Sequence, residues 1–227
     1  NEIKKQKEPK DRLFDDLSLN LLNISKDYED NLFQIIEAYC KDKASFTGDI
    51  NAIVSNTARK LDAELINHIY LIFSQSYNKT YSDYSKILSK DEANPLILKH
   101  LKEYFDTFPS HFFEKWEEKE KGNIFKIIEE EALKGYNWQT VKRRLSEEYF
   151  SRRDSYYWQM VAITEGSRAF NFASEKAAKD LGATEKRFIF TEDGLACTGC
   201  IQASKEGWIS IDSETSYGNP PLHPNCR

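Results

Sequence analysis

A chain of 227 residues, 40% hydrophobic and 30% charged, has enough apolar surface to bury a real core, as one large domain or two modest ones. No apolar run approaches the roughly 18–20 residues that span a bilayer, and "NEIKKQKEPKDR" at the start lacks the apolar stretch of a secretory signal. The net charge of −5 divides into −4 over residues 1–150 (23 Lys+Arg, 27 Asp+Glu) and −1 beyond (9 against 10), which excludes a basic stripe for binding DNA through its phosphates.

Residues 1 to about 150 read as helix after helix. The first helix, over 13–41, carries Leu17, Leu21, Ile24, Leu32, Ile35, Ile36 and Tyr39 at three- and four-residue spacings. Cys40 follows the apolar "LFQIIEAYC" and reads as a buried core thiol. A second helix, over 49–77, starts after Thr47-Gly48-Asp49, with Ile50, Ile53, Val54, Leu61, Leu65 and Ile69 on one stripe. Tyr77 to Asp91 is polar and reads as a loop with a short helix. Asn94-Pro95 starts a further helix that runs to about Phe108. Ser110 caps another over 111–134, with a possible break at Gly122 and a stop at Gly135. The aromatics, 13% of the chain, suit ordinary helix packing, with docking onto a partner as the sharper reading. His68, His100 and His111 have no Cys, His or Asp at ligand spacing and read as ordinary core or surface histidines.

From residue 137 the texture changes. "NWQTVKRRLSEEYF" is an amphipathic helix capped by Asn137, and its Lys142-Arg143-Arg144 cluster, followed by acids, reads as a solvated face. A long helix over 153–181 buries Trp158, Val161, Ala162, Ala169, Phe172, Ala173, Ala177 and Leu181, and Gly182 stops it. "KRFIFTED" and "GWISID" then alternate like short strands, with Cys197-Thr-Gly-Cys200 in the turn after the first.

Cys197-x-x-Cys200 and His223-Pro-Asn-Cys226 are two ligand pairs separated by 22 residues. Together they can close a tetrahedral Cys3His shell, and a closed shell is a structural zinc site rather than a catalytic one. Thiols packed in a small core, or a disulfide between two of them, are the other readings of the same residues. Glu165 and Arg168, three apart, make an intrahelical pair; alternatively Glu165 anchors the Cys/His loop through Arg227 or a bond to His223. Asp193 either orients that loop or sits in an exposed turn, and Trp208 packs beneath the loop as core. Glu165, Asp193 and His223 are the groups an enzyme would use, but no nucleophile motif or glycine-rich phosphate loop accompanies them, so the chain does not read as an enzyme.

The stretch "AITEGSRAFNFASEKAAKDLGATEKRFIFTEDGLACTGCIQASKEGWISI…NPPLHPNCR" resembles the phage Mu F-type head-morphogenesis, or minor capsid protein, family. The matching positions are Thr164-Glu165, Gly182, Asp193, Cys197, Cys200 and the terminal Pro220-Pro221-Leu222-His223-Pro224-Asn225-Cys226-Arg227, within residues 135–227. The resemblance implies a minor virion protein in few copies at the portal or capsid interior, in the host cytoplasm during assembly. Its work would be head assembly, DNA packaging or DNA ejection through contacts with portal and capsid proteins. Packaged DNA would be held at most weakly, and no membrane or small-molecule substrate is implied.

The expected architecture is therefore mostly α: a helical N-terminal region over 1–134, then an α+β module over 135–227 closed by the Cys/His cluster. Two other readings stand beside it. One is a zinc-stabilised nucleic-acid-binding module in which Trp208 and Tyr217 stack bases; the other is a metal-dependent nuclease or toxin-like enzyme.

Overall fold

The computed structural model describes residues 9–39, 46–84, 90–108, 112–132, 138–190 and 196–222. It is mostly helical, with α1 (Pro9–Tyr39), α2 (Phe46–Asp83), α3 (Lys90–Thr107), α4 (Phe112–Ala132), α5 (Trp138–Glu148), a 3-10 turn (Phe150–Arg152), α6 (Ser155–Asp180) and α7 (Thr198–Lys205). The strands β1 (Glu185–Arg187) and β2 (Trp208–Ser210) pair antiparallel in a two-stranded sheet. Two compact units result. One takes the described residues up to Asp15, from Asn67 through α3, and from Met160 onward; the other takes Asp16–Ile66 and those from α4 to Gln159. Both are discontinuous in sequence, because α1, α2 and α6 each contribute to both, and neither coincides with 1–134 or 135–227.

The second unit is a helical core built on Tyr28, Leu32, Ile36, Ile50, Val54, Ile124, Ile127, Val141, Leu145 and Phe150. Its α1 and α2 residues recur at four-residue intervals, which brings them onto one face of each helix. One charged pair lies inside. Glu120 is only 1% exposed, and Arg153 grips it with two hydrogen bonds, one of 2.9 Å. The Tyr28 hydroxyl donates to the same carboxylate at 3.1 Å, while the Arg153 guanidinium lies over the Trp116 ring at 5.1 Å. Arg153 is therefore not on a solvated face: burial disfavours its charge, but the Glu120 hydrogen bond and the Glu120 charge together outweigh this and hold its pKa above the usual value.

In the first unit α6 is the central element. Asp154 caps it by accepting the Tyr157 N–H at 3.0 Å, and Ala169, Ala173 and Ala177 are fully buried along one face. Small residues let neighbours approach closely: a Cβ on Gly166 would fall 2.3 Å from the Phe14 ring, so only glycine fits there. Gly182 ends the run with φ +88, the left-handed conformation that glycine adopts without penalty.

Several expectations need correction. The segment from Tyr77 is not loop: α2 continues to Asp83, because Tyr77 and Tyr81 extend the Ile69–Phe73 stripe at four-residue steps and both are buried. α3 begins at Lys90 and contains Pro95, instead of starting at Asn94-Pro95. α4 runs unbroken through Gly122. Trp208 is not core but 66% exposed, since the strand pattern turns Ile209 inward and Trp208 and Ser210 outward. Cys40, Ser110, His111, Gly135 and Asn137 lie outside the described residues.

The Glu120–Arg153 pair yields a quantitative expectation. Arg153→Ala strands a buried carboxylate and should cost about 3–5 kcal/mol in urea unfolding. Arg143→Ala, which removes an exposed pair with Glu147, should cost less than about 1 kcal/mol. Equal, small losses would show that water already solvates Glu120.

Candidate functional site

After Gly182 the chain turns back along the end of α6, and two lysines fasten it there. Lys186, on the inward side of β1, donates to one oxygen of Glu175 at 2.8 Å and lies 3.3 Å from the Asn219 side-chain oxygen. Lys179 reaches the other Glu175 oxygen at 3.0 Å and Asp212, just past β2, at 3.0 Å. Lys179 loses solvation there, yet its bonds to Glu175 and Asp212 outweigh that loss and raise its pKa. Two neighbouring α6 residues thus hold the hairpin, Glu175 at β1 and Lys179 just past β2. Beyond β2, the Ser216 N–H donates to the Glu206 carboxylate at 3.0 and 3.2 Å, and the Thr215 hydroxyl to the Gly218 carbonyl at 2.6 Å.

The cysteine pair sits at the start of α7 and not in a plain turn. Cys197 is its N-cap: the backbone is extended (φ −73, ψ 162) and Sγ accepts the Cys200 N–H at 3.3 Å. Sulfur here takes the place usually held by a Ser or Asp oxygen. Three residues on, Cys200 is 5% exposed, and Ala203 and Ile211 are buried as well. A helix N-terminus favours negative charge, so this position suits thiolates. The terminal segment returns to this point: the site of a Cβ on Gly199 is 3.6 Å from Cys197 Sγ and 4.0 Å from Leu222 Cδ1. Leu222 immediately precedes His223.

His223 and Cys226 themselves lie outside the described residues, as do Asp193 and Arg227. Among the described residues no group of three or more His, Cys, Asp or Glu side chains is placed to hold a metal ion, so the expected closure of the module by a Cys/His cluster is not seen there. Two of the four expected ligands, Cys197 and Cys200, are brought together. Glu165 and Arg168 form the intrahelical ion pair, and the Arg168 guanidinium also lies 5.4 Å from the centre of the Phe108 ring.

Sequence reasoning missed a polar network at the other face of α6. Asp180, the last residue of the helix, accepts the Tyr77 hydroxyl at 2.5 Å and contacts His100 Nε2 at 2.8 Å. His100 Nδ1 faces Glu103 at 3.3 Å, and Glu103 in turn pairs with Lys176 at 2.6 Å. The Lys176 bond holds the Glu103 carboxyl below the usual range, whereas burial and then Asp180 push the Tyr77 hydroxyl up. With both ring nitrogens committed to carboxylates, His100 ties α3 to α6 and has no nitrogen left for a substrate. No local spacing announces it, since His100 and Asp180 are 80 positions apart.

The basic cluster on α5 is neutralised. Arg143 pairs with Glu147 at 2.8 Å, and Arg144 with Glu148, Glu130 and Glu131 at 2.7, 2.9 and 2.9 Å. That leaves these two arginines engaged by acids rather than presented to phosphates. No helix among the described residues is long and apolar enough to cross a membrane. Comparison of the chain with protein-family models, with curated proteins and with solved structures finds no match.

The Glu175 clamp is open to direct test. Glu175→Gln removes the shared negative charge and should loosen the hairpin while α6 stays helical. Limited proteolysis should then cut after Arg187 or Lys205 about five- to tenfold faster, with the far-UV circular dichroism nearly unchanged. Unaltered cleavage would show that apolar packing alone holds the module.

Proposed function

We propose that this protein is a minor head protein of the Mu F type, acting through contacts with portal and capsid proteins and not by turnover. In this reading it resides in the virion, at the portal or capsid interior, and takes part in assembly, packaging or DNA ejection. The terminal Cys-x-x-Cys and Pro-Pro-x-His-Pro-Asn-Cys-Arg pattern carries the family reading. The approach of Leu222, the residue before His223 in sequence, to the Cβ position of Gly199 between the two cysteines is the structural observation that supports it.

Zinc fits the described half of that site: two sulfurs one helical turn apart, one buried, at the end of a helix that favours thiolates. Cys197, Cys200, His223 and Cys226 would hold the ion, which would cross-link the module and perform no reaction. Asp193 and Arg227 would orient the loops that carry these ligands, while Glu165 and Arg168 brace one another on α6. The remaining polar groups support a scaffold role, since Glu175, Asp180 and His100 are each engaged in fastening one element to another.

A second reading, a zinc-stabilised nucleic-acid module, draws on the exposure of Trp208 (66%) and Tyr217 (51%), which leaves both rings able to stack on bases. One experiment separates the two. The full chain is sedimented with portal rings, and in parallel titrated with single- and double-stranded DNA at several salt concentrations. The capsid reading predicts co-sedimentation with the rings and no salt-dependent DNA affinity in the micromolar range. DNA binding that falls steeply with salt, without portal binding, would establish the other.

A further inference from the structure

The outer edge of β1 offers a pairing surface whose partner can be read from its own sequence. In the ladder Glu185 faces Ser210, Lys186 faces Ile209 and Arg187 faces Trp208. The Ile211 N–H donates to the Thr184 carbonyl at 2.9 Å, which makes Thr184–Ile211 a hydrogen-bonded pair. Hydrogen-bonded and non-hydrogen-bonded pairs alternate in an antiparallel ladder, so Lys186–Ile209 is the next bonded pair. The backbone N–H and C=O groups of Glu185 and Arg187 therefore point away from β2, to the outer edge. Among the described residues no further strand pairs with that edge. Both side chains are exposed, as is Ile189 at 76%.

We propose that this edge pairs with the same edge of a second copy of the chain, across a two-fold axis at Lys186. The sequence Glu-Lys-Arg is self-complementary in the antiparallel sense. Glu185 of each copy then lies opposite Arg187 of the other, the two residues whose backbone groups face outward. The result is four backbone hydrogen bonds and two cross-strand ion pairs in a continuous sheet of order β2–β1–β1–β2. The two Lys186 side chains that meet at the axis point to the opposite face, where each is held by its own Glu175. A second copy satisfies charge and hydrogen bonding at once, which an unrelated strand would do only with a matching Arg-x-Glu or Glu-x-Arg spacing. The contact is small, and it matters where copies are concentrated, as in an assembly.

Charge reversal tests this without disrupting the strand. Sedimentation equilibrium of the full chain, from micromolar to millimolar at low salt, should show a monomer–dimer equilibrium. Glu185→Arg or Arg187→Glu alone places like charges opposite one another twice per dimer and should weaken dimerisation about tenfold. The double variant Glu185→Arg, Arg187→Glu restores both pairs in reversed order and should recover the wild-type constant. Circular dichroism of each variant checks that the fold persists. A wild type that stays monomeric throughout, single variants that dimerise as tightly as wild type, or a double variant no tighter than the singles would each overturn the proposal.

Discussion

Two strands of three residues and one helix of eight cannot hold themselves together in water. The segment after Gly182 exists as structure because it is tied to something larger. Its buried residues include Cys200, Ala203 and Ile211, and α6 supplies the fastening through Glu175, which accepts Lys186, and Lys179, which reaches Asp212. A further tie is what the terminal ligands would add. Loop closure by four ligands removes conformational freedom from the unfolded chain, and the gain counts most where the apolar core is smallest.

The same logic of tying recurs in the helical parts. Glu120 is fully surrounded, and it tolerates this because Arg153 and Tyr28 together satisfy the carboxylate. Asp180 stands at the last turn of α6, where a carboxylate is disfavoured by the helix dipole, and Tyr77 and His100 compensate by bonding to it. Each of these carboxylates joins elements distant in sequence, so each specifies which helices pack together as well as how strongly.

What could be read from sequence follows from the range of the forces involved. The C-terminal end of α6 is legible because Gly182 acts on its own neighbours, and the apolar stripe from Val161 to Ala177 is a local periodicity. The C-terminal turns of α2 were misread because Tyr77 and Tyr81 look polar in sequence, although their rings are buried in the packed helices. Trp208 reads in sequence as core beneath the Cys/His loop, whereas the pleat of a two-stranded sheet puts it outside. Cys197 reads in sequence as a candidate ligand and not as a cap, because sulfur is rarely counted among capping atoms. The His100–Asp180 bond had no local signature at all, being a product of tertiary packing.

The central claim is that the two thiols on α7 and the terminal His223 and Cys226 meet around one ion. X-ray absorption at the zinc edge on the purified full chain tests it most directly. The account predicts one tightly held zinc per chain, with about three sulfur neighbours near 2.3 Å and one nitrogen near 2.0 Å. A shell of oxygen atoms, or protein that retains no zinc after gel filtration, would contradict it.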